Sequence, residues 1–370
     1  MKRKATCPTV LSFRIKQLGG GEIGMKKLLF VFYLLLVVNV SLVGISSAAI
    51  VYVPDNYSSI QEAINAASVD GTVIVYNGTY SENVELNKKL SLLGDGLPTV
   101  DAQQKGSAIR ITADGCVVKG FRCVKAKYPS NAGIRVESNS NLIENNTCDK
   151  NNIGIYLYSH TSDNMILNNE IYHNCGCGVS LSYSTKNTIA ENEIYENCGN
   201  GVSLYHSSNN TITSNEIYEN NNHGVSLMKS SNSTILNNTC RRNSDGICLM
   251  FESSNNSIMK NGIHANYKNG IELWDSSKNS LYLNTFVNNS LNANSDRADN
   301  IWNSPSKVIY VYNEKEYNRY MGNYWDDYTE KDEDGDGIGD TSYKISEPWN
   351  TGVEDDSDDY PLVLPFKDYF

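Results

Sequence analysis

Apolar and polar positions alternate along most of this chain in short runs, and the pattern repeats every 23 residues. In residues 201–220, GVSLYHSSNNTITSNEIYEN, the apolar Val202 and Leu204 flank a serine, which is the period of two expected of a strand with one apolar face. The SSNN that follows predicts a turn, and Ile212 and Ile217 supply further inward positions. Each unit is therefore predicted to contain short strands that are separated by turns.

Asparagine recurs at the same interval in three series. The first series is Asn146, Asn169, Asn192, Asn215, Asn238, Asn261 and Asn284. The second is Asn151, Asn174, Asn197, Asn220, Asn243, Asn266 and Asn289. The third is Asn141, Asn164, Asn187, Asn210, Ser233, Asn256 and Asn279. Because asparagine tolerates left-handed backbone angles, we expect these residues to turn the corners of stacked coils and to hydrogen-bond along the stack.

The length of the repeat restricts the fold class. Helical-pair repeats need more than about 30 residues, and the leucine scaffold of leucine-rich repeats is missing. Stacked coils lie about 4.8 Å apart, so equivalent residues form ladders. We therefore predict an all-β parallel β-helix solenoid with a repeat of ~23 residues and about nine to ten coils over residues 50–313.

Both ends of such a solenoid need a cap. At the N-terminal end, residues 58–68 (SSIQEAINAAS) have a helical pattern. Ser59 and Glu62 are predicted to form a capping box, and Ile60 and Ile64 share one face of the helix. We expect this helix to cover the first coil.

Residues 314–370 leave the repeat and are predicted to form a second, acidic cap. Residues 326–370 contain 15 Asp and Glu against 3 Lys and Arg, whereas the net charge of the whole chain is −11. The acidity is therefore concentrated in the C-terminal segment, where it would repel phosphate. The sequence has no basic patch of the kind that binds nucleic acid, and we predict no nucleic-acid partner.

Residues 1–49 are predicted to be an extension and a signal peptide. The stretch from Met25, MKKLLFVFYLLLVVNVSLVGISSAA, has two lysines, an apolar run and small residues at its end, as secretory signals do. We interpret Met25 as the true start, because the region before an apolar run should be short. The alternative is an uncleaved anchor, although the run is short for a membrane span. A cleaved signal predicts a secreted, cell-surface or periplasmic protein with no stable span.

Four segments carry a resemblance to a known family. They are residues 53–86 (VPDNYSSIQEAINAASVDGTVIVYNGTYSENVEL), 322–328 (GNYWDDY), 332–340 (DEDGDGIGD) and 358–362 (DDYPL). Together with the coils they resemble NosD-type proteins of the pectin-lyase-like superfamily, which include archaeal cell-surface proteins. The resemblance implies a right-handed parallel β-helix outside the cytoplasm. It also implies a link by name to copper delivery, in a superfamily that includes polysaccharide lyases, hydrolases and epimerases.

The segment DEDGDGIGD, residues 332–340, predicts a metal site. Its acidic residues alternate with glycine turns, so their carboxylates would converge as they do in calcium-binding loops. The predicted ligands are Asp332, Asp334, Asp336 and Asp340. Tyr343 stands where an EF-hand has its final glutamate, so a different calcium loop is indicated. We predict a structural calcium that locks the cap, and the alternative is a solvated acidic tail.

Two rows of outward aromatic residues predict a surface for sugar rings. One row is Tyr172, Tyr195 and Tyr218, beside the stacked Glu170, Glu193 and Glu216. The other row is Tyr158, Tyr183, Tyr205, Met228, Met250 and Trp274. Stacked aromatic rings with polar neighbours suit the flat faces and hydroxyls of sugars. The alternative is that tyrosine simply favours strand surfaces. Like charges in a glutamate ladder would need solvent screening or a cation.

The segment HNCGC contains His173, Cys175 and Cys177, and Cys198 lies one repeat beyond Cys175. Sulfur and imidazole ligands suit Cu(I) or zinc. Equivalent positions on adjacent coils are also close enough for a Cys175–Cys198 disulfide. Copper, a disulfide and free thiols all remain open from the sequence.

Residues 150–240 contain Lys150, Lys186 and Lys229 as their sole cationic side chains besides histidine, so the base that a lyase needs is scarce. No catalytic residues are predicted, and whether the chain is an enzyme stays open. We interpret it as a non-catalytic surface protein that binds polysaccharide or has a structural role. The alternatives are a polysaccharide lyase, hydrolase or epimerase, and a periplasmic copper-handling factor.

Overall fold

The computed structural model describes residues 50–127, 130–345 and 356–370. The strands in these ranges are short and follow one another around successive coils. In chain order they are β1 (Ile50–Val53), β2 (Gly71–Tyr76), β3 (Thr79–Tyr80), β4 (Val84–Leu86), β5 (Leu90–Asp95), β6 (Thr99–Asp101), β7 (Ile109–Ile111), β8 (Val117–Lys119), β9 (Arg122–Val124), β10 (Ala132–Val136), β11 (Leu142–Glu144), β12 (Thr147–Asp149), β13 (Ile153–Tyr158), β14 (Met165–Leu167), β15 (Glu170–Tyr172), β16 (Val179–Ser182), β17 (Thr188–Ala190), β18 (Glu193–Tyr195), β19 (Val202–Tyr205), β20 (Thr211–Thr213), β21 (Glu216–Tyr218), β22 (Val225–Met228), β23 (Thr234–Leu236), β24 (Thr239–Arg241), β25 (Ile247–Met250), β26 (Ser257–Met259), β27 (Gly262–His264), β28 (Asn269–Trp274), β29 (Ser280–Tyr282), β30 (Thr285–Val287), β31 (Leu291–Asp296), β32 (Val308–Tyr312), β33 (Lys315–Arg319), β34 (Tyr324–Trp325), β35 (Tyr343–Lys344) and β36 (Ser357–Asp358). The helices are α1 (Ile60–Ala66) and a 3₁₀-helix (Phe366–Tyr369).

Three parallel sheets run the length of the stack, so the predicted parallel β-helix is confirmed. The first sheet has the order β1-β2-β5-β8-β11-β14-β17-β20-β23-β26-β29. The second has the order β3-β6-β9-β12-β15-β18-β21-β24-β27-β30-β34. The third has the order β31-β28-β25-β22-β19-β16-β13-β10-β7-β4. With 11, 11 and 10 strands the solenoid has about 11 coils, more than the predicted nine to ten.

The additional coils lie where the repeat is irregular. Ser91 pairs with Val117, a step of 26 residues, and Phe286 pairs with Trp325 after a step of 39. A constant period of 23 does not detect such coils, because the turns between their strands differ in length.

The core consists of identical apolar residues stacked coil upon coil. On the first sheet Ile189 pairs with Ile212, which pairs with Ile235, and all three side chains are fully buried. On the second sheet Ile194 pairs with Ile217, and both side chains are fully buried. Each buried side chain contributes about 1.5–3 kcal/mol by leaving water, so the hydrophobic spacing sets the register of every coil.

The asparagine ladders form the predicted hydrogen bonds but not the predicted backbone angle. Asn215 is buried, its Oδ1 accepts the main-chain N–H of Asn192 at 3.0 Å, and its Nδ2 donates to Oδ1 of Asn238 at 2.9 Å. The left-handed angle falls one residue earlier, with φ of +57° at Ser214 and +55° at Glu219. The prediction that the ladder asparagines turn the corners is therefore wrong, although other asparagines, such as Asn209 and Asn237, do take the left-handed angle at the position before the ladder. The ladder residue follows the corner, where its side chain points inward and bonds to buried main-chain groups.

Glycine stands at or just before the start of most strands of the third sheet, where it allows the main chains of adjacent coils to approach closely. A Cβ atom at Gly201 would lie 2.4 Å from Cγ2 of Ile217 and 2.7 Å from the carbonyl oxygen of Gly224. Both distances are too short for a side chain, so packing rather than a left-handed backbone requires glycine here.

Helix α1 covers the N-terminal end of the core, as predicted. The hydroxyl of Ser59 accepts the N–H of Glu62 at 3.2 Å, which is the first half of a capping box. The Glu62 carboxylate instead accepts a bond from Ser58 at 3.2 Å. Glu82, one coil further on, accepts the N–H of Ile60 at 3.0 Å. The N-terminal turn of α1 is therefore held to the first coil by Glu82, a residue that no local sequence motif predicts.

The C-terminal segment leaves the solenoid and then rejoins it. Strands β32 and β33 form an antiparallel hairpin, after which β34 pairs with β30 and extends the second sheet. Asn323 continues the first asparagine ladder by accepting the main-chain N–H of Asn284 at 3.1 Å. Asp358 is fully buried beneath this return and accepts the indole N–H of Trp325 at 3.0 Å. The division at residues 313 and 314 stays a prediction.

The predicted signal peptide, residues 25–49, lies outside the described residues. In the part of the chain that the structure describes, no helix is both long and apolar enough to cross a bilayer.

Candidate functional site

Three of the four acidic residues predicted to bind a metal lie together in the C-terminal segment. One carboxylate oxygen from each of Asp332, Asp334 and Asp336 lies within 4.8 Å of the other two. Within residues 50–127, 130–345 and 356–370, no other three Asp, Glu, His or Cys side chains converge in this way. Asp340 does not belong to the group, and its Oδ2 accepts the N–H of Glu333 at 2.6 Å.

The loop is shaped around the carboxylate of Asp332. Its Oδ1 accepts the N–H groups of Gly335 and Asp336 at 2.8 and 3.0 Å, and its Oδ2 accepts that of Gly337 at 2.8 Å. Gly335 and Gly337 have φ of +72° and +90°, which glycine adopts without strain. This loop brings the neighbouring carboxylates to the same side.

The three carboxylates repel one another. Burial raises the pKa of Asp336, and the charges of Asp334 and Asp332 raise it further. Arg319 opposes this effect from a distance of 3.2 Å between its Nε and Oδ2 of Asp336. A cation held by these oxygens would relieve the same repulsion, and oxygen ligands are those that calcium prefers. The residues present therefore fit a calcium ion in three of the four predicted positions.

The tyrosine row on the second sheet is a continuous stack. Tyr172, Tyr195 and Tyr218 have centroids 5.0 Å apart at each step, and their ring planes differ by 7° and 2°. Arg241 lies 4.0 Å above the ring of Tyr218. Because the ring faces between neighbours contact each other, sugar stacking on these faces is largely blocked. Contact of the ring edges with a glycan stays a prediction.

The stacked glutamates beside this row have partners that the sequence analysis did not foresee. The hydroxyl of Tyr195 donates to Glu170 at 2.9 Å, and that of Tyr218 donates to Glu193 at 2.6 Å. Each bond joins a tyrosine to the glutamate of the preceding coil. Phenol donors therefore stabilise two members of this ladder, in addition to the screening that solvent provides.

The aromatic row on the third sheet is exposed and divides into two columns. Tyr158 pairs with Ser182, which pairs with Tyr205 and then Met228, so Tyr183 lies one residue beyond the register of its predicted neighbours. The ring of Tyr183 nevertheless contacts that of Tyr205, with centroids 5.7 Å apart, and stacks on His206 at 4.9 Å. The two columns therefore form one aromatic patch on the third sheet. We call this patch, which contains Tyr158, Tyr183 and Tyr205, the aromatic row.

The rings of the aromatic row are open to solvent. Tyr158, Tyr183 and Tyr205 are 39%, 44% and 41% exposed. Further along, Met250 pairs with Trp274, whose ring lies 4.6 Å from that of Phe251. Exposed tyrosines on three adjacent coils, continued by Met228 and by the partly exposed Phe251 and Trp274, make an elongated surface, which is the shape that an extended polymer requires.

The cysteine and histidine residues of the HNCGC segment do not form a cluster. Cys175 and Cys198 are exposed free thiols on adjacent coils, and their pairing as a disulfide stays a prediction. Burial raises the pKa of the Cys177 thiol, which disfavours the thiolate that metals bind. His173 pairs with Glu196 and packs edge-on against a tyrosine of the second sheet.

One acid–base group was missed by the sequence analysis. His223 Nδ1 lies 2.8 Å from Oδ2 of Asp245, whose Oδ1 accepts the N–H of Asn269 at 2.9 Å. Burial opposes ionisation, but the hydrogen bond from His223 holds the pKa of Asp245 below its ordinary value. Nearby, burial raises the pKa of Glu272, which is opposite Cys248 in register. The variable turn lengths before these strands hid the alignment.

Comparison with known proteins places these features in context. The family model described as "Periplasmic copper-binding protein (NosD)" matches residues 64–227 and 215–330, which together cover more than two thirds of the chain. A "Cell surface glycoprotein" of Methanothermus fervidus is 34% identical over 125 residues. The aligned part covers 32% of this chain and 20% of the glycoprotein, so this chain spans about a fifth of that relative.

Solved structures share the fold at low sequence identity. The A-module of the mannuronan C-5 epimerase AlgE4 from Azotobacter vinelandii has a TM-score of 0.51 and 16% identity, covering 66% of this chain and 91% of the module. The Dettilon tailspike protein (gp208) has a TM-score of 0.51 and 14% identity, covering 68% of this chain and 67% of the tailspike. These similarities concern the pectin-lyase-like fold alone. Since the family model matches well over half of the chain on this fold, the protein belongs to the NosD family of parallel β-helix proteins.

Proposed function

We propose that this protein binds polysaccharide at the cell surface or in the periplasm, along the aromatic row of the third sheet. The observation that carries the proposal is the exposure of Tyr158, Tyr183 and Tyr205 side by side on successive coils. Exposing a group of neighbouring aromatic rings to water is unfavourable, and exposed apolar patches of this kind are typical of binding surfaces. The family description and the name of the glycoprotein relative support the location.

The strand surface beside the aromatic row also suits an extended ligand. Ser180 and Ser203 are paired in register and are partly exposed on the outer face of the third sheet, whereas the next serine, Ser226, is buried. Small hydroxyl side chains leave room next to the tyrosines and supply both donors and acceptors. A sugar chain could therefore contact the exposed parts of the rings and hydrogen-bond to the serine hydroxyls at a repeat set by the coils.

Replacing Tyr205 by alanine should weaken glycan binding about tenfold, or about 1.4 kcal/mol, because central aromatic anchors dominate such surfaces. The measurement is titration calorimetry with the best ligand from a panel of neutral and acidic polysaccharides. Tyr267→Ala is the matched control, since this tyrosine is 69% exposed and lies away from the row. Equal losses in the two variants, or no loss at Tyr205, would count against the row as the binding surface.

The proposal includes a structural calcium ion held by Asp332, Asp334 and Asp336. When bound, the ion would offset the repulsion among the three carboxylates and so stabilise this conformation of the loop. We expect calcium to raise the melting temperature of the full chain, and Asp334→Asn to reduce this rise by weakening the site. The control is Asp163→Asn in the turn before β14. The backbone of Asp163 has a left-handed φ of +59°, which both aspartate and asparagine adopt readily. A calcium-independent melting temperature in the unmodified protein would contradict the site.

Copper handling is suggested by the family description and receives no support from the cysteine geometry described above. The stacked Cys175 and Cys198 are the residues on which a copper site would depend. Glycan binding is favoured because exposed aromatic rings lie together on the third sheet, whereas the thiols and the imidazole of the HNCGC segment do not converge within the described residues.

A further inference from the structure

A cavity of about 350 Å³ lies on the outer face of the third sheet, near its N-terminal end. Glu85 on β4, Arg110 on β7 and Arg135 on β10 line it and are opposite one another in register. Asn83 and Glu137 complete the polar lining. Ligand pockets begin at about 300 Å³, so the cavity is large enough for a single sugar residue.

The charges in the cavity are balanced. Arg110 binds Glu85 through Nη1 at 3.2 Å and Glu137 through Nη2 at 2.5 Å. Arg135 binds the other oxygen of Glu137 through Nε at 2.5 Å. Burial opposes ionisation, but the hydrogen bonds from Arg110 and Arg135 hold the pKa of Glu137 below its ordinary value. An acidic ligand would have to compete with these carboxylates for the arginines, so the cavity favours an uncharged one.

The network also fixes polar groups in space. Guanidinium and carboxylate groups are planar and are held here by two or more bonds each, so they present donors and acceptors in defined directions. Side chains that are already ordered lose little entropy when a ligand binds. Adjacent hydroxyl groups of a sugar, which are both donors and acceptors, match such a lining.

Arg135 connects the cavity to the aromatic row. Its guanidinium carbon lies 4.6 Å from the ring centroid of Tyr158 and 5.5 Å from that of Tyr156. Arg135 is also opposite Tyr156 in register, so the cavity and the first exposed tyrosine lie on adjacent coils. A ligand that occupies the cavity can therefore continue onto the row without a break.

The surface does not continue in the other direction. Strand β4 is the edge of the third sheet, and helix α1 lies against it. Gln61 on α1 accepts the N–H of Glu85 at 2.7 Å and donates to its carbonyl oxygen at 3.2 Å. The helix thus occupies the main-chain groups through which another strand would extend the sheet.

From this arrangement we propose that the cavity lined by Asn83, Glu85, Arg110, Arg135 and Glu137 binds the terminal residue of a neutral glycan chain, whose next residues lie along the aromatic row. This inference rests on the proposed function and adds to it a ligand class and a direction. It makes the cavity the place where a chain end is distinguished from the middle of a chain.

The test uses the purified full chain with neutral hexasaccharides of glucan, mannan and xylan, the parent polymers, and an oligogalacturonate hexasaccharide. We expect a neutral hexasaccharide and its polymer to bind with equal affinity per chain end. Arg135→Met should weaken this binding about tenfold, whereas Arg242→Met, which removes an exposed arginine paired with Glu219, should leave it unchanged. Glu85→Gln keeps the size of the side chain and should shift preference toward the oligogalacturonate.

The outcomes separate this inference from the proposed function. Suppose that polymers bind in proportion to their number of residues, that Tyr205→Ala weakens binding and Arg135→Met does not, and that Glu85→Gln leaves the ligand preference unchanged. The chain-end site is then overturned and the aromatic row stands. A preference of the unmodified protein for oligogalacturonate overturns the neutral ligand class. If no glycan in the panel binds the unmodified protein, both proposals are overturned.

Discussion

Replacing Asn215 by alanine should destabilise the solenoid by roughly 3–5 kcal/mol, which is large for a single polar residue. The Asn215 side chain donates to the carbonyl oxygens of Ile189 and Thr213 at 2.9 and 3.1 Å, and to Oδ1 of Asn238 at 2.9 Å. Its own oxygen accepts the main-chain N–H of Asn192 at 3.0 Å. Alanine would leave that buried N–H without a partner, and a buried unpaired group costs about 1–3 kcal/mol in addition to the lost bonds.

The measurement is urea unfolding of the two proteins, with hydrogen exchange at the Asn192 amide as a local reporter. Asn222→Ala is the matched control, because Asn222 is an exposed asparagine at a corner of an adjacent coil. Surface substitutions of this kind usually change stability by less than about 0.5 kcal/mol. A loss of similar size in both variants would show that asparagine contributes through its backbone preference and not through the ladder.

Replacing Asp358 by asparagine should remove a strong pH dependence of stability. The carboxyl is fully buried, and burial raises its pKa to about 7 although hydrogen bonds from the N–H groups of Asn323 and Tyr360 act in the opposite direction. Those bonds measure 2.7 and 3.0 Å, and Trp325 donates a further one. A Cβ atom at Gly322 would lie 1.8 Å from Oδ1 of Asp358, so the main chain packs directly against this carboxyl.

The sign of this pH dependence follows from the number of protons that the folded and unfolded states bind. With a folded pKa of about 7 and an ordinary pKa of 3.8 in the unfolded chain, the folded protein keeps a proton on Asp358 that the unfolded chain has released. The resulting stability is fully present below pH 3.8 and is lost as the pH rises through 7. The slope is about 1.4 kcal/mol per pH unit, and the whole loss is on the order of 4 kcal/mol.

Asp358→Asn cannot ionise, so its stability should exceed that of the unmodified protein at pH 8 and approach it at pH 4.5. Urea unfolding at several pH values, followed by tryptophan fluorescence, measures the difference. Asp359→Asn is the control, because Asp359 is exposed and accepts its bonds from the hydroxyls of Ser342 and Ser357. Parallel pH profiles for the unmodified protein and Asp358→Asn would refute this role of the buried carboxyl.

The candidate sites were predictable to different degrees. The sequence alone led to Asp332, Asp334 and Asp336, because a short loop keeps its own residues close together. It also placed Tyr195 and Tyr218 on adjacent coils, since the repeat between them is constant. It misaligned Tyr183 by one residue, because the turn before the third sheet varies in length and the side-chain direction alternates at every step.

The sequence by itself determined the parallel β-helix, its inward isoleucines and its asparagine ladders. These features depend on contacts between equivalent residues of adjacent coils, and a constant period of 23 residues states such contacts directly. The tertiary structure alone decided which residue takes the left-handed corner angle, how the segment containing Trp325 and Asp358 returns to the core, and that Arg110 and Arg135 line a cavity with Glu85. These features depend on turns of unequal length and on segments outside the repeat. Their neighbours in space are set by the path of the chain, which no local pattern specifies.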